Sequence, residues 1–231
     1  MSGVALIHSM PCRAGRPGAA AVCRLFEGAA AAHAAALGVG MEMLRREGKA
    51  WMLVRFGLRA HRWPGPDEEI EVRTWPSRRT AGARAWREFL LLDAAGGVLV
   101  EAASVWLIVD LERRRPVRLP KFLHELDFPP LETAVEFLDP PQPAGEPDAT
   151  LVRCVEPAHL DANDHVNNVT YIDWGEEAAG RPRAARLQAD YLDEARLGEQ
   201  LAYLTWKAFD SRAFLQLART AGKTCACLQW W

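Results

Sequence analysis

Apolar and polar positions along the chain fall into two successive runs of the same order: a short strand, a helix, then four strands. In the first run, residues 4–10 read as an opening strand. Residues 20–37 (AAVCRLFEGAAAAHAAAL) read as a helix, because alanine, the strongest helix former, dominates them. Gly38 and Gly40 are expected to end it as C-cap glycines. Residues 51–60, 69–75, 84–92 and 98–109 follow as β-branched or aromatic segments, separated by turn signals such as Pro64-Gly65-Pro66 and Gly96-Gly97. In the second run, residues 151–155 supply the strand and 167–179 the helix. Residues 186–193, 199–207, 212–220 and 224–231 are the four strands.

The break between the runs is compositional. Residues 125–150 (ELDFPPLETAVEFLDPPQPAGEPDAT) hold six prolines in 26 positions, are acidic, and contain few sheet formers. They read as a linker between a first domain (1–124) and a second (151–231). The chain has 231 residues, against about 150 per typical domain, so one large or two small domains are both admissible by length. A central helix gripped by one antiparallel sheet cannot bury both faces of that sheet. Two such units side by side can, which gives a reason for the duplication. The expected class is therefore α+β.

Composition narrows the function classes. Hydrophobic residues make up 49% and charged residues 25%, an ordinary globular balance. A formal net charge of −2 argues against a nucleic-acid binder driven by overall basicity. Charge is uneven: residues 1–124 carry 19 Lys+Arg against 12 Asp+Glu, and residues 125–231 carry 9 against 18. The front half can attract an acidic partner. The longest uncharged run, residues 28–41, has 14 residues, short of the ~20 that cross a bilayer. The N-terminal stretch has no apolar core long enough for a signal peptide. Five cysteines without a CxxC pair suggest neither a disulfide framework nor a zinc site, and the expected location is the reducing cytoplasm.

The densest polar cluster is HLDANDHVNNVTYIDWGEE, beginning at His159. If residues 161–166 run extended, Asp161, Asn163 and His165 share one face and can act together on one bound group. Asn167 or Asn168 is a good N-cap for the following helix. The free N–H groups there, with the positive end of the helix dipole, can polarise a carbonyl oxygen. Asp and Asn before a helix are commonly just caps and turn residues, but three such groups with two consecutive asparagines favour a site. No second histidine stands at ligand spacing, so no metal is expected.

The segment from Leu160 to Ile172 (LDANDHVNNVTYI) resembles the DxNxHVNNxxYI signature of acyl-acyl-carrier-protein thioesterases. LFEGAAAAHAAALGVG (25–40), WMLVRFGLRAHRWP (51–64), EEIEVRTWPSR (68–78) and AASVWLIVDLERRRPVRLP (102–120) follow that family's order and spacing. The resemblance spans residues 20–231. It implies two tandem hot-dog domains, each a central helix wrapped by an antiparallel sheet, packed as a pseudo-dimer. It places the family's catalytic Asp, Asn and His on Asp161, Asn163 and His165. The acidic member of its downstream EYRREC-like segment falls on Glu194 of DYLDEA (190–195). The cysteine once proposed there as a nucleophile is Ala195 in this chain, so a thiol mechanism through that position is impossible. The family's paired arginines become Leu192 and Asp193.

These implications define the expected activity: hydrolysis of a fatty acyl-carrier thioester by activated water, without a cofactor. Glu194 and His165 together would position and deprotonate the water, Asn163 would orient that water or the substrate, and Asp161 would fix the Asn–His loop. Backbone N–H groups of Val166 and Asn167, at the helix start with Asn168, would form the oxyanion hole. The loop at residues 11–20 (PCRAGRPGAA) has no acid, amide or imidazole, so one active site is expected. The first helix would instead serve the acyl chain through Phe26, Ala29 and Ala30, with His33 structural. Arg113, Arg114, Arg115 and Arg118 are the strongest basic run and the candidate contact for an acidic acyl carrier protein. Monomer and homodimer are both compatible with the duplication. The alternatives are an acyl-CoA thioesterase of the same fold, and a non-hydrolytic acyl-binding or hydratase-like hot-dog protein.

Overall fold

The computed structural model describes residues 7–15, 18–140, 145–180, 184–207, 213–220 and 222–231. The chain divides into two compact units, the first Met1–Pro17 with Ala21–Val135, the second Gly18–Ala20 with Glu136–Trp231. The proline-rich segment is not a separate linker; the division falls inside it, at Val135. Its first part is fastened to the first unit. Trp75 Nε1 donates to the Leu131 carbonyl (3.0 Å), Arg79 Nη1 to the Val135 carbonyl (3.0 Å) and Thr133 Oγ1 to Glu88 Oε2 (2.6 Å). In the second unit, Gln188 closes both backbone groups of Leu138, each at 2.8 Å. A segment outside any sheet still needs partners for its buried backbone groups, and side chains supply them here.

The first unit contains β1 (His8–Arg13), α1 (Ala19–Ala36) from Ala21 onward, α2 (Met41–Arg46), β2 (Lys49–Ala60), β3 (Glu69–Pro76), β4 (Ala85–Asp93), β5 (Val98–Asp110), β6 (Arg115–Val117) and α3 (Lys121–His124). Its strands pair antiparallel in the order β1-β3-β4-β5-β2, with β6 added on β5. The opening strand lies later than the pattern suggested, and the expected residues 4–6 fall outside the described residues. Alanine carries α1 to its end, where Gly38 adopts φ 75° and Val39 N–H closes back on the Ala34 carbonyl (2.9 Å). Gly40 is not part of that cap. It is the N-cap of α2 at φ −65°, and a Cβ there would lie 2.9 Å from Ala35 Cα, so close approach demands the glycine.

The helices α2 and α3 and the strand β6 are too short for periodicity to reveal. The two helices exist because Leu44 and Leu123 bury into a side core with Val39, Ile108 and Leu119. Burying one such leucine is worth about 2 kcal/mol, more than a six-residue helix can gain by itself.

Alternation along β4 splits its side chains between two faces. On one face Phe89 stacks on Phe26 of α1 (4.8 Å), and Arg87 donates to Nδ1 of buried His33 and to Thr74 Oγ1, both at 3.1 Å. Burial pulls the Arg87 guanidinium down to about 10. On the other face Glu88, fully buried, takes Arg79 Nη2 at 2.6 Å together with Thr133.

The second unit contains β7 (Ala149–Cys154), α4 (Asn168–Ala179), β8 (Arg186–Tyr191), β9 (Gln200–Lys207), β10 (Ala213–Arg219) and β11 (Thr224–Trp230). The strand order is β8-β11-β10-β9-β7, all antiparallel. The helix α4 packs on β9, β10 and β11. Trp174 anchors it, with the rings of His159, Tyr203 and Tyr171 at 4.7, 5.7 and 5.9 Å. One turn is glycine for want of room: a Cβ on Gly175 would sit 2.6 Å from Trp230 Cη2. Each unit thus has the helix-and-antiparallel-sheet composition of a hot-dog domain. Among the described residues no helix is long and apolar enough to cross a membrane.

Candidate active site

The polar cluster lies between β7 and α4, after a 3-10 turn at Pro157–His159. It is not extended, so the shared-face argument for residues 161–166 fails. Asp164 adopts φ 60°, a left-handed conformation that aspartate tolerates better than most residues, and the chain folds back there. Asp161 N–H donates to the His165 carbonyl (2.8 Å), closing a tight loop. Inside it, Asp161 Oδ1 accepts from the backbone N–H groups of Asn163 (2.7 Å) and His165 (3.3 Å), and Oδ2 accepts from Asn163 Nδ2 (3.2 Å). The three residues are brought together by the Asp161 carboxylate, not by strand alternation.

Glu194 reaches this loop from the β8–β9 connection. Leu192 and Asp193 N–H groups both donate to the Cys225 carbonyl (2.8 and 3.1 Å), and the Ala195 carbonyl accepts from Val166 N–H (2.9 Å). Between these fixed points His165 Nε2 lies 3.3 Å from Glu194 Oε2, with the two side chains 25% and 32% exposed. The same carboxylate oxygen has Arg196 Nη2 at 3.5 Å. An ionised carboxylate can only accept, so a hydrogen bond across this pair puts the proton on Nε2. The imidazole then offers its Nδ1 lone pair as base.

The helix start differs from the expectation. Val166 N–H is spent on the Ala195 carbonyl, and Asn167 N–H on the His159 carbonyl (2.9 Å), so neither is an oxyanion donor. Asn167 is the N-cap, its side chain accepting from Val169 N–H (2.8 Å), and Thr170 N–H returns to the Asn167 carbonyl (2.9 Å). That leaves the amide of Asn168 as the first-turn donor without a partner among the described residues. It sits where the helix dipole is positive.

Ala195 is fully buried, and the cysteines near the site are poor nucleophiles. Burial pushes the Cys225 thiol up and the Cys227 thiol up to about 11, so neither supplies thiolate at neutral pH. Among the described residues no cluster of His, Cys, Asp and Glu could hold a metal ion.

The other candidate residues lie in the first unit. Phe26, Ala29 and Ala30 are buried in its core, where Phe26 is covered by Phe89. Arg113 and Arg114 stand on the exposed turn between β5 and β6, where Asp110 Oδ1 accepts from Arg113 N–H (2.8 Å). Arg115 and Arg118 are exposed just beyond. Sequence reasoning missed Arg196 and Arg219. The signal that could have found them is positive charge retained in an acidic half. Arg219 Nη1 lies 2.6 Å from Asp193 Oδ2 and its Nε 3.1 Å from Glu199 Oε1, and its Nη2 donates to the Glu194 carbonyl.

Comparison with known proteins agrees with this architecture. Residues 14–126 match the profile of the acyl-ACP thioesterase N-terminal domain, and residues 151–221 that of the acyl-ACP thioesterase C-terminal domain. The oleoyl-acyl carrier protein thioesterase 2 of Arabidopsis thaliana is 26% identical over 195 residues, covering 75% of this chain and 52% of its own length. The palmitoyl-acyl carrier protein thioesterase of Cuphea hookeriana is 27% identical over 147 residues, 58% of this chain and 34% of its own. The chain therefore spans a third to a half of these curated relatives. Among solved structures, the 12:0-ACP thioesterase from Umbellularia californica superimposes with a TM-score of 0.83 at 18% identity, covering 100% of this chain and 98% of that one. That likeness is one of fold.

Proposed function

The chain belongs to the acyl-ACP thioesterase family, and we propose that it hydrolyses the thioester of a fatty acyl group carried on an acidic acyl carrier protein. The observation that carries this reading is the 3.3 Å contact between His165 Nε2 and Glu194 Oε2 beside the Asp161–Asn163 loop. A water molecule gives its proton to His165 Nδ1 and attacks the thioester carbon. Glu194 holds the ring and stabilises the imidazolium that forms. Asn163 orients the water, and Asp161 keeps Asn163 and His165 in register. The Asn168 N–H takes the developing oxyanion, a contribution of about 3 kcal/mol per such donor in other enzymes. Collapse of the tetrahedral intermediate breaks the carbon–sulfur bond, and the imidazolium proton goes to the departing thiolate. Thiols leave readily, so no stronger acid is needed.

A thioester panel varying carrier and carbon number, read by released thiol, tests the proposal. Faster turnover on the carrier-bound substrate than on the matched CoA ester is expected. Faster turnover on CoA would make it an acyl-CoA thioesterase, and full recovery of intact thioester would make it a binding protein.

A further inference from the structure

Glu194 stands on an eight-residue connection between β8 and β9, whose backbone is tied to Cys225 before it and to Val166 after it, while the Glu194 carbonyl itself is held by a side chain. Its carboxylate is also beside Arg196, an exposed and competing partner at 3.5 Å. The fixed element next to it is β10. From that strand Arg219 sends its guanidinium under the connection and takes three parts of it at once. Nη1 binds Asp193 Oδ2 at 2.6 Å, Nη2 binds the carbonyl of Glu194, and Nε is 3.1 Å from both carboxylate oxygens of Glu199. Glu199 in turn accepts from Arg196 N–H at 3.0 Å, and Lys223 adds a second cation to Asp193 at 2.9 Å.

The charges agree with the geometry. Burial works against ionisation of Asp193, yet hydrogen bonds from Lys223 and Arg219 hold it below the usual carboxylate range. Burial also opposes the Arg219 charge, and its bonds to Asp193 and Glu199 outweigh it, keeping the group above its ordinary value. The connection is thus gripped immediately before, at and five residues after Glu194. A guanidinium holds its donors in a rigid plane and reaches three separate acceptors in fixed directions, whereas an ammonium offers its three donors from one point on a flexible stem.

We propose that Arg219 is the positioning residue of the site: it fixes the backbone at Glu194 so that the carboxylate faces His165 instead of swinging out with Arg196. Asp193 is the anchor for this fork, held by Arg219 Nη1 at 2.6 Å.

The inference rests on the thioesterase reading only for its kinetic readout. With a carrier-bound substrate, Arg219→Gln lowers kcat at least ~30-fold while KM moves less than ~3-fold, since the residue acts before chemistry and not in binding. In a Glu194→Gln background the same change costs less than ~3-fold more, because there is no carboxylate left to position. Arg219→Lys recovers only part of the loss. Wild-type-like kcat in Arg219→Gln, or full additivity with Glu194→Gln, overturns the proposal. If Arg219→Gln does not fold, Glu199→Ala, which removes the acceptor of one arm of the fork, must still lower kcat without raising KM; unchanged kcat there overturns it equally.

A wild-type protein that hydrolyses no thioester would sink the thioesterase reading and leave this one open to a second measurement. A crystal structure of Arg219→Gln should show the Glu194 carboxylate turned out of hydrogen-bond reach of His165 Nε2, against 3.3 Å in the wild type. An unchanged contact in that variant overturns the positioning role.

Discussion

The two units are made from the same kit, a helix and antiparallel strands, yet they use their polar groups in opposite ways. In the first, the imidazole of His33 is sealed on α1 under Arg87 and Thr74, and Glu88 is sealed on the other face with Arg79 and Thr133. In the second, His165 and Glu194 meet in connections outside the regular elements and keep a quarter to a third of their side-chain surface open. The difference teaches that the fold does not place the chemistry. A histidine on a helix face becomes part of the core, whereas one on the loop before a helix can meet solvent and substrate.

The strongest way to break this comparison is to exchange its two histidines in turn. His165→Ala and Glu194→Gln should each lower kcat/KM on a carrier-bound acyl thioester by at least ~100-fold with an unchanged melting temperature. His33→Ala should lower the melting temperature and leave kcat/KM per folded molecule within about 3-fold. A large kinetic loss for His33→Ala would mean that both units carry chemistry.

The buried carboxylate of the first unit gives the next test. Glu88→Ala leaves Arg79 and Thr133 without their acceptor inside the unit, and breaking such a pair by removing one partner costs about 3 kcal/mol. Urea unfolding should report that loss while turnover of the folded fraction stays unchanged. Asn167→Ala sharpens the comparison from the other side. It removes the α4 cap at about 1 kcal/mol, and it should also lower kcat several-fold, because the cap holds the neighbouring Asn168 amide in place. A pure stability effect there would remove that amide from the mechanism.

Smallest of all is Arg114→Glu on the β5–β6 turn, with less than about 0.5 kcal/mol on stability. It should raise KM for carrier-bound substrate several-fold more than for the CoA ester, through the loss of attraction to an acidic partner. Equal changes on both substrates would clear that turn of any role in docking.

Much of this was legible in the sequence because each major element has a strong local cause. Alanine builds α1, Gly38 stops it, and Asn167 starts α4. The site was legible only as a set of residue types. Asp161, Asn163 and His165 were identified for a reason that the left-handed Asp164 undoes, since a one-residue change of backbone region abolishes strand alternation. The spent amides of Val166 and Asn167 depend on carbonyls of Ala195 and His159, one of them 29 positions away, and no local pattern encodes such pairing. Arg219 was invisible for the same reason: its partners are 20 to 26 residues earlier, joined to it only by strand order.

Gly175 sets the gauge of the second unit. With the Trp230 ring already where a Cβ would go, the axis of α4 cannot be brought nearer β11 and cannot accept a side chain without being lifted. Asn168 lies seven residues earlier on the same rod, about 10 Å along its axis. A methyl group added at that contact would act as a wedge beneath a lever, tilting the far tip and withdrawing its amide from the carbonyl it is meant to meet. Steric tolerance at a position remote from the reacting atoms thereby sets how accurately they are aimed.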